Sequence, residues 1–151
     1  MDRPALTDPP PIRGRFDGRI HLFPVRVYYE DTDLSGIVYH ANYLRYCERA
    51  RSDMLREAGI DQRAAVEAGE GTYAIAAMDL RFLSPARLDD ALTVESTTDA
   101  VTPARVIIHQ RVRRGTVSLL TAHVTAAFLS PAGRPRRQPG AWIAAYQPLL
   151  P

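Results

Sequence analysis

The chain has a single long stretch of helical period, and the regular segments around it alternate with period two. From Ala41 to Ala58 the residues Tyr43, Cys47, Ala50, Met54 and Ala58 recur at spacings of four and three, while Arg45, Arg49, Ser52, Arg56 and Glu57 supply a wet face. Gly59 stands where a left-handed C-cap belongs. A helix with one apolar face must bury it against another layer, and the other regular elements here are strands. The constraint points to an α+β plan in which one long helix lies across a sheet.

The strands are read from alternation. Phe23 to Tyr29 places Phe23, Val25, Val27 and Tyr29 on one face. Thr72 to Phe82 places Ala74, Ala76, Met78, Leu80 and Phe82 on one face before Ser84-Pro85-Ala86 breaks the pattern. Ala91 to Thr98 turns Leu92 and Val94 inward, Arg105 to Arg113 turns Val106, Ile108 and Val112 inward, and Val117 to Leu129 does the same with Leu120, Ala122, Val124, Ala126 and Phe128. Short connections join the last three, which implies an antiparallel meander. The expected architecture is therefore a long helix packed on an antiparallel five-stranded sheet. Residues 1–20, with Pro9-Pro10-Pro11, read as a flexible extension ahead of one domain over 21–151, and the tail from Ser130 is rich in Pro, Gly and Arg.

Composition excludes several classes. A length of 151 residues suits one domain with a sizeable core, and 46% hydrophobic with 24% charged residues is ordinary for a globular chain. The net charge is only +2, carried by arginines with no basic tract, which does not suggest nucleic acid. A lone cysteine, Cys47, leaves no internal disulfide framework and fits a reducing compartment, so the cytoplasm is the expected location. No run approaches the roughly 18 apolar residues of a membrane span, and the first residues lack the apolar core of a signal peptide. No metal site is expected, since neither CxxC nor HExxH spacing occurs.

Between the first strand and the helix lies VYYEDTDLSGIVYHAN, where Glu30, Asp31 and Asp33 sit in a loop with the turn chemistry of Asp, Thr, Ser and Gly, and His40 stands at the mouth of the helix. A carboxylate there lies near a row of unpaired backbone N–H groups, which is what hydrolysis of a carbonyl substrate needs. Taken alone, Asp31 and Asp33 read as turn residues and His40 as a neighbour of the N-cap or a surface histidine. His109 and His123 read as structural, Cys47 as a small core residue, and His21 carries no argument.

The segment YYEDTDLSGIVYHANYLRYCERAR, together with FLSPARLDD and AAFLSPAGRPRRQP, resembles the hotdog-fold acyl-CoA thioesterases of the 4-hydroxybenzoyl-CoA thioesterase superfamily, in the branch found with the bacterial Tol-Pal envelope system. The similarity covers about residues 22–140. It implies a hotdog fold, with the helix wrapped by the strands, and a catalytic carboxylate at Asp33 acting as general base or as nucleophile. It also implies that the backbone N–H at about His40 faces the thioester oxygen, that Tyr39 sits at the helix entrance, and that the His40 imidazole and the Asn42 amide orient the substrate or the loop. Glu48 is the rival carboxylate, since other hotdog thioesterases act from the helix; with Asp33 in the loop, Glu48 is expected to be an ion-pair partner. Arg134, Arg136, Arg137 and Arg87 are either binders of coenzyme A phosphates or solvated arginines.

The resemblance further implies an acyl-CoA or acyl-carrier-protein thioester as substrate, no cofactor beyond the coenzyme A of the substrate, and a homodimer at minimum, with a tetramer as the larger assembly. Association with inner-face envelope or phospholipid-synthesis proteins belongs to the same implication. Two other classes remain open: a scaffold with weak thioesterase activity, and a hotdog dehydratase, whose histidine and acid arrangement GIVYHANY does not reproduce.

Overall fold

The computed structural model describes residues 1–151. Helix α1 spans Asn42–Glu57 and ends as the sequence requires. Gly59 adopts φ 86°, its N–H donates to Arg56 O at 3.1 Å, and the Ile60 N–H reaches back to Leu55 O at 2.8 Å, which together form a Schellman stop. Tyr43, Tyr46, Cys47, Ala50 and Met54 are all buried, so the apolar stripe is the core face.

The sheet has six strands rather than the expected five: β1 (Arg15–Asp17), β2 (Ile20–Arg26), β3 (Thr72–Phe82), β4 (Ala91–Val101), β5 (Arg105–Arg114) and β6 (Val117–Leu129), in the order β1-β2-β4-β5-β6-β3 with every pairing antiparallel. The added strand corrects the reading of residues 1–20 as a flexible extension throughout. Arg15–Asp17 pairs with Ile20–Leu22 across a turn in which Gly18 takes φ 59°. Ahead of it the Arg13 guanidinium forks onto Glu57, and the Gly14 N–H donates to Asp53 Oδ2 at 2.9 Å.

Strand β2 starts earlier than expected and stops at Arg26, so Phe23, Val25 and Val27 are buried as read while Tyr29 turns out to solvent. His21, which no pattern singled out, is wholly buried in β2, with Nε2 at 2.7 Å from Asp53 Oδ2. In β3 a register shift between Ile75 and Ala77 inverts the expected phase. Met78 and Leu80 pack on the core as read, but before the bulge it is Tyr73 and not Ala74 that packs inward.

Two further helices escaped the sequence reading. Helix α2 (Gln62–Glu67) is capped by Asp61, which accepts from the Ala64 N–H at 3.0 Å. Helix α3 (Gly140–Tyr146) folds the tail back and buries Trp142 and Tyr146 against Met54, Ile108 and Phe128. The core accordingly has two clusters, one under the first half of α1 and one under its second half. No helix is long and apolar enough to cross a membrane.

Asp53 ties helix to hairpin through two buried donors. Replacing it with alanine orphans both, and Asp53→Ala is expected to lower stability by about 2–4 kcal/mol in urea unfolding. The exposed Arg63–Glu67 pair on α2 serves as control, and Arg63→Ala is expected to change stability by less than about 1 kcal/mol.

Candidate active site

The loop between β2 and α1 is a stack of short-range bonds. The chain leaves β2 through a 3₁₀ turn at Tyr29–Asp31, and the Asp31 carboxylate closes that turn by accepting the Tyr28 N–H at 2.9 Å. The backbone oxygen of Asp31 accepts both the Tyr39 N–H at 2.9 Å and the Asn42 side-chain amide at 2.8 Å. Beyond it Thr32 bridges Val38, and Ile37 bridges Arg87. The Val38 N–H donates to Ala86 O, and the Ala86 N–H donates to the Tyr43 hydroxyl, both at 2.9 Å. The segment Thr32–Val38 is thus a miniature hairpin held from three sides.

Asp33 sits near the tip of that hairpin. Gly36, at φ 79°, makes the turn, and its N–H donates to Asp33 O at 3.0 Å. The Asp33 carboxylate is exposed and accepts the Ser35 hydroxyl and the Ser35 N–H, the latter at 2.8 Å. Those two bonds, with the charge of the nearby His40 imidazole, hold the Asp33 carboxyl below its ordinary value. Asp33 is therefore an anion across the neutral range.

The start of α1 supplies the complementary charge. Its N-cap is Ala41, a residue with no side chain to cap the helix, and the N–H groups of His40 and Ala41 have no acceptor in the chain. Free N–H donors at a helix start carry the positive end of the helix dipole. The His40 ring lies 4.5 Å from the Tyr39 ring and 6.5 Å from Phe82 at the end of β3, and both His40 and Tyr39 are exposed beside the loop. Asn42 is buried and faces the loop, where its amide donates to Asp31 O.

The structure does not bring the tail arginines to this place within one protomer. Phe82 pairs with Leu120 at the site end of β3, whereas the tail leaves from Leu129, which pairs with Thr72 at the other end. Ten residues of strand separate the two ends by roughly 33 Å. Arg136 is tied there, donating to Gly69 O and Glu70 O at 3.2 and 2.8 Å, beyond the end of α2. Arg87 is the arginine that does lie at the loop, through the bridge of its backbone to Ile37. Glu48 makes no ion pair in the protomer, contrary to its expected role. Cys47 is buried, and burial pushes its thiol up to about 11.

Two charged residues of the helix, Asp53 and Arg51, were missed altogether. Arg51 is 8% exposed, inside the helix–sheet contact, and donates to Gln110 Oε1 at 3.0 Å. Its position one residue beyond Ala50 on the apolar stripe was the available signal.

An anionic carboxylate at a rigid loop tip beside uncapped helix donors is an arrangement for acyl chemistry, set on the hotdog fold. The family model of the thioesterase superfamily, 4HBT, matches residues 35–121, and the chain belongs to that family. It is 41% identical over 105 residues to the "Acyl-CoA thioesterase YbgC" of Haemophilus influenzae, covering 70% of this chain and 77% of the relative. It is 35% identical over 127 residues to the "Acyl-CoA thioester hydrolase YbgC" of Escherichia coli O6:H1, covering 83% and 94%. Among solved structures, a probable thioesterase from Bartonella henselae superposes with a TM-score of 0.75 at 37% identity, over 80% of this chain and 99% of that one.

Ser35 is the main cause of the depressed Asp33 value, which gives a sign to test. Ser35→Ala removes the hydroxyl bond and raises the Asp33 pKa toward the ordinary carboxylate range. The acid limb of a kcat/KM profile is then expected to move to higher pH than in the wild type, with the neutral plateau retained. An acid limb that stays in place would show that another group titrates there.

Proposed function

We propose that the protein hydrolyses acyl-CoA thioesters to the free acid and coenzyme A, with Asp33 as the catalytic carboxylate and the His40 and Ala41 N–H groups as the oxyanion hole. The observation that carries this is an Asp33 kept ionised at the loop tip beside a helix start with no cap. The names of the relatives support the substrate class. In the general-base route water attacks the thioester carbon while Asp33 takes a proton from it. The carbonyl oxygen becomes an oxyanion facing the two N–H groups, the C–S bond breaks, and the leaving thiolate takes up a proton. In the nucleophilic route the Asp33 oxygen attacks first, thiolate leaves, and water then opens the mixed anhydride. Both routes load the same charge onto the same donors, and a well-aimed donor of this kind is worth about 3–4 kcal/mol.

Tyr39, the His40 imidazole and Asn42 have supporting roles in this reading. The two exposed rings flank the acyl group, and Asn42 fixes the loop from behind. The test is thiol release from a panel of acyl-CoAs of rising length plus a benzoyl-type ester. Asp33→Asn is expected to lower kcat by about 10²–10⁴-fold with an unchanged oligomer size, while Glu48→Gln is expected to remain active. An unchanged turnover in Asp33→Asn would exclude this reading.

A homodimer completes the reading. β3 is an edge strand of 11 residues with exposed Ile75 and Phe82, and such an edge pairs readily with another strand. A second copy added antiparallel at β3 would set its Thr72 end beside the Phe82 end of the first. Arg134 and Arg137 of that copy would then approach the loop, where their guanidinium forks suit the phosphates of coenzyme A. The double variant Arg134→Ala/Arg137→Ala is expected to raise KM several-fold for acyl-CoA and to weaken its salt dependence, with kcat retained; an unchanged KM rejects the role. The cytoplasm suits the free thiol of Cys47. Association with envelope or phospholipid-synthesis proteins rests on the resemblance alone, and pull-down tests it.

A further inference from the structure

Arg51 is a buried cation with no carboxylate at ion-pair distance. Its one partner in the chain is the neutral Gln110, and that contact is itself fixed. The Gln110 amide nitrogen donates to Cys47 O at 2.9 Å and to Ser96 Oγ at 3.0 Å, which turns its oxygen toward Nη1 of Arg51. A guanidinium carries five N–H donors, so most of the fork is left without a protein acceptor. Burial holds Arg51 below the ordinary arginine value.

The guanidinium borders a cavity of about 120 Å³ between α1 and the sheet. Its walls are mostly apolar, with Leu55, Tyr73, Ile75 and Tyr146 among them, and Glu48 also lines it. A cavity with mostly apolar walls and a few polar side chains, Arg51, Glu48, Ser52 and Gln62, suits the end of a largely hydrocarbon group that carries an oxygen. Its position relative to the site follows from helix and strand geometry. Ala41 and Arg51 are ten residues apart, about 15 Å along α1. On the opposite wall β3 runs from Phe82, beside His40, back to Ile75 and Tyr73 at the cavity. The same helix and the same strand therefore lead from the oxyanion donors to the cavity.

Resting on the thioesterase reading, we infer that this cavity receives the far end of the acyl group and that Arg51 selects acyl chains bearing an oxygen acceptor there, a hydroxyl or a carboxylate, over plain alkyl chains of equal length. A plain methyl end would displace solvent from the free N–H groups that Arg51 presents to the cavity without replacing its hydrogen bonds. An oxygen gives Arg51 a charge-assisted hydrogen bond. Glu48, lining the same cavity, favours the hydroxyl of the two, since a hydroxyl can accept from Arg51 while donating to a carboxylate, whereas a second carboxylate is repelled.

The experiment is a comparison of kcat/KM on the wild type for straight-chain acyl-CoAs and their ω-hydroxy and ω-carboxy counterparts, length by length. The expected result is a length at which an ω-oxygen raises kcat/KM by about tenfold or more, with Arg51→Met bringing that value down to that of the plain chain. Because Arg51→Met also breaks the Gln110 contact, the wild-type comparison decides on its own if the variant does not fold. Equal rates on plain and oxygenated chains at every length would overturn the Arg51 inference and leave the thioesterase reading standing. A higher rate on oxygenated chains that survives Arg51→Met in a folded variant would also overturn the role of Arg51. Loss of all acyl-CoA hydrolysis in the wild type would overturn the thioesterase reading itself, and the inference with it.

Discussion

The structure turns on one backbone oxygen. Asp31 O accepts from the Tyr39 N–H and from the Asn42 amide, so the last residues before the helix and the first residue of the helix close on the same atom of the loop. That shared acceptor sets the distance between the turn carrying Asp33 and the donors at His40 and Ala41. The helix lacks a side-chain cap at Ala41, which in most helices costs about 1 kcal/mol. Asn42, one residue later, uses its amide to tie down the loop instead.

The rest of the fold supplies rigidity to that junction. The first core cluster packs Tyr43, Tyr46, Cys47 and Ala50 of the helix against β2, β4 and β6, directly under the loop. The second holds the far half of α1 through Trp142, Tyr146 and Phe128. The N-terminal hairpin adds a strap through Arg13, Gly14 and His21, all three meeting Glu57 or Asp53 on one flank of the helix. Gly14 is required there, because a Cβ at that position would stand 2.4 Å from Leu22 O and 2.7 Å from Asp53 Oδ2. The helix is thus held across its face by the sheet and along one flank by the strap at the sheet's β1 edge.

The central helix, its glycine stop, and the inward faces of β5 and β6 were legible because each follows from a period that burial enforces. The loop was legible as a turn, and the catalytic role expected for Asp33 came only from a resemblance. What escaped depended on contacts remote in sequence. Helix α3 has too few residues to show a period and exists because Trp142 and Tyr146 have a cluster to join. β1 is three residues long and is made by pairing, and the bulge in β3 reverses the inward face in mid-strand with nothing local to announce it. Arg51 and His21 were passed over for one reason: a polar side chain is assigned to the surface until its partner is known, and Gln110 and Asp53 lie 59 and 32 residues away.

The burial of Cys47 has a consequence of another kind. A thioester acylates free thiols and amines as well as water, so an enzyme that gathers such compounds is exposed to modification by its own substrate. Cys47 is the only thiol, enclosed and pushed up to about 11, and the chain contains no lysine. The chain therefore offers an incoming acyl group no exposed thiol and no lysine amine, which favours water as the acceptor.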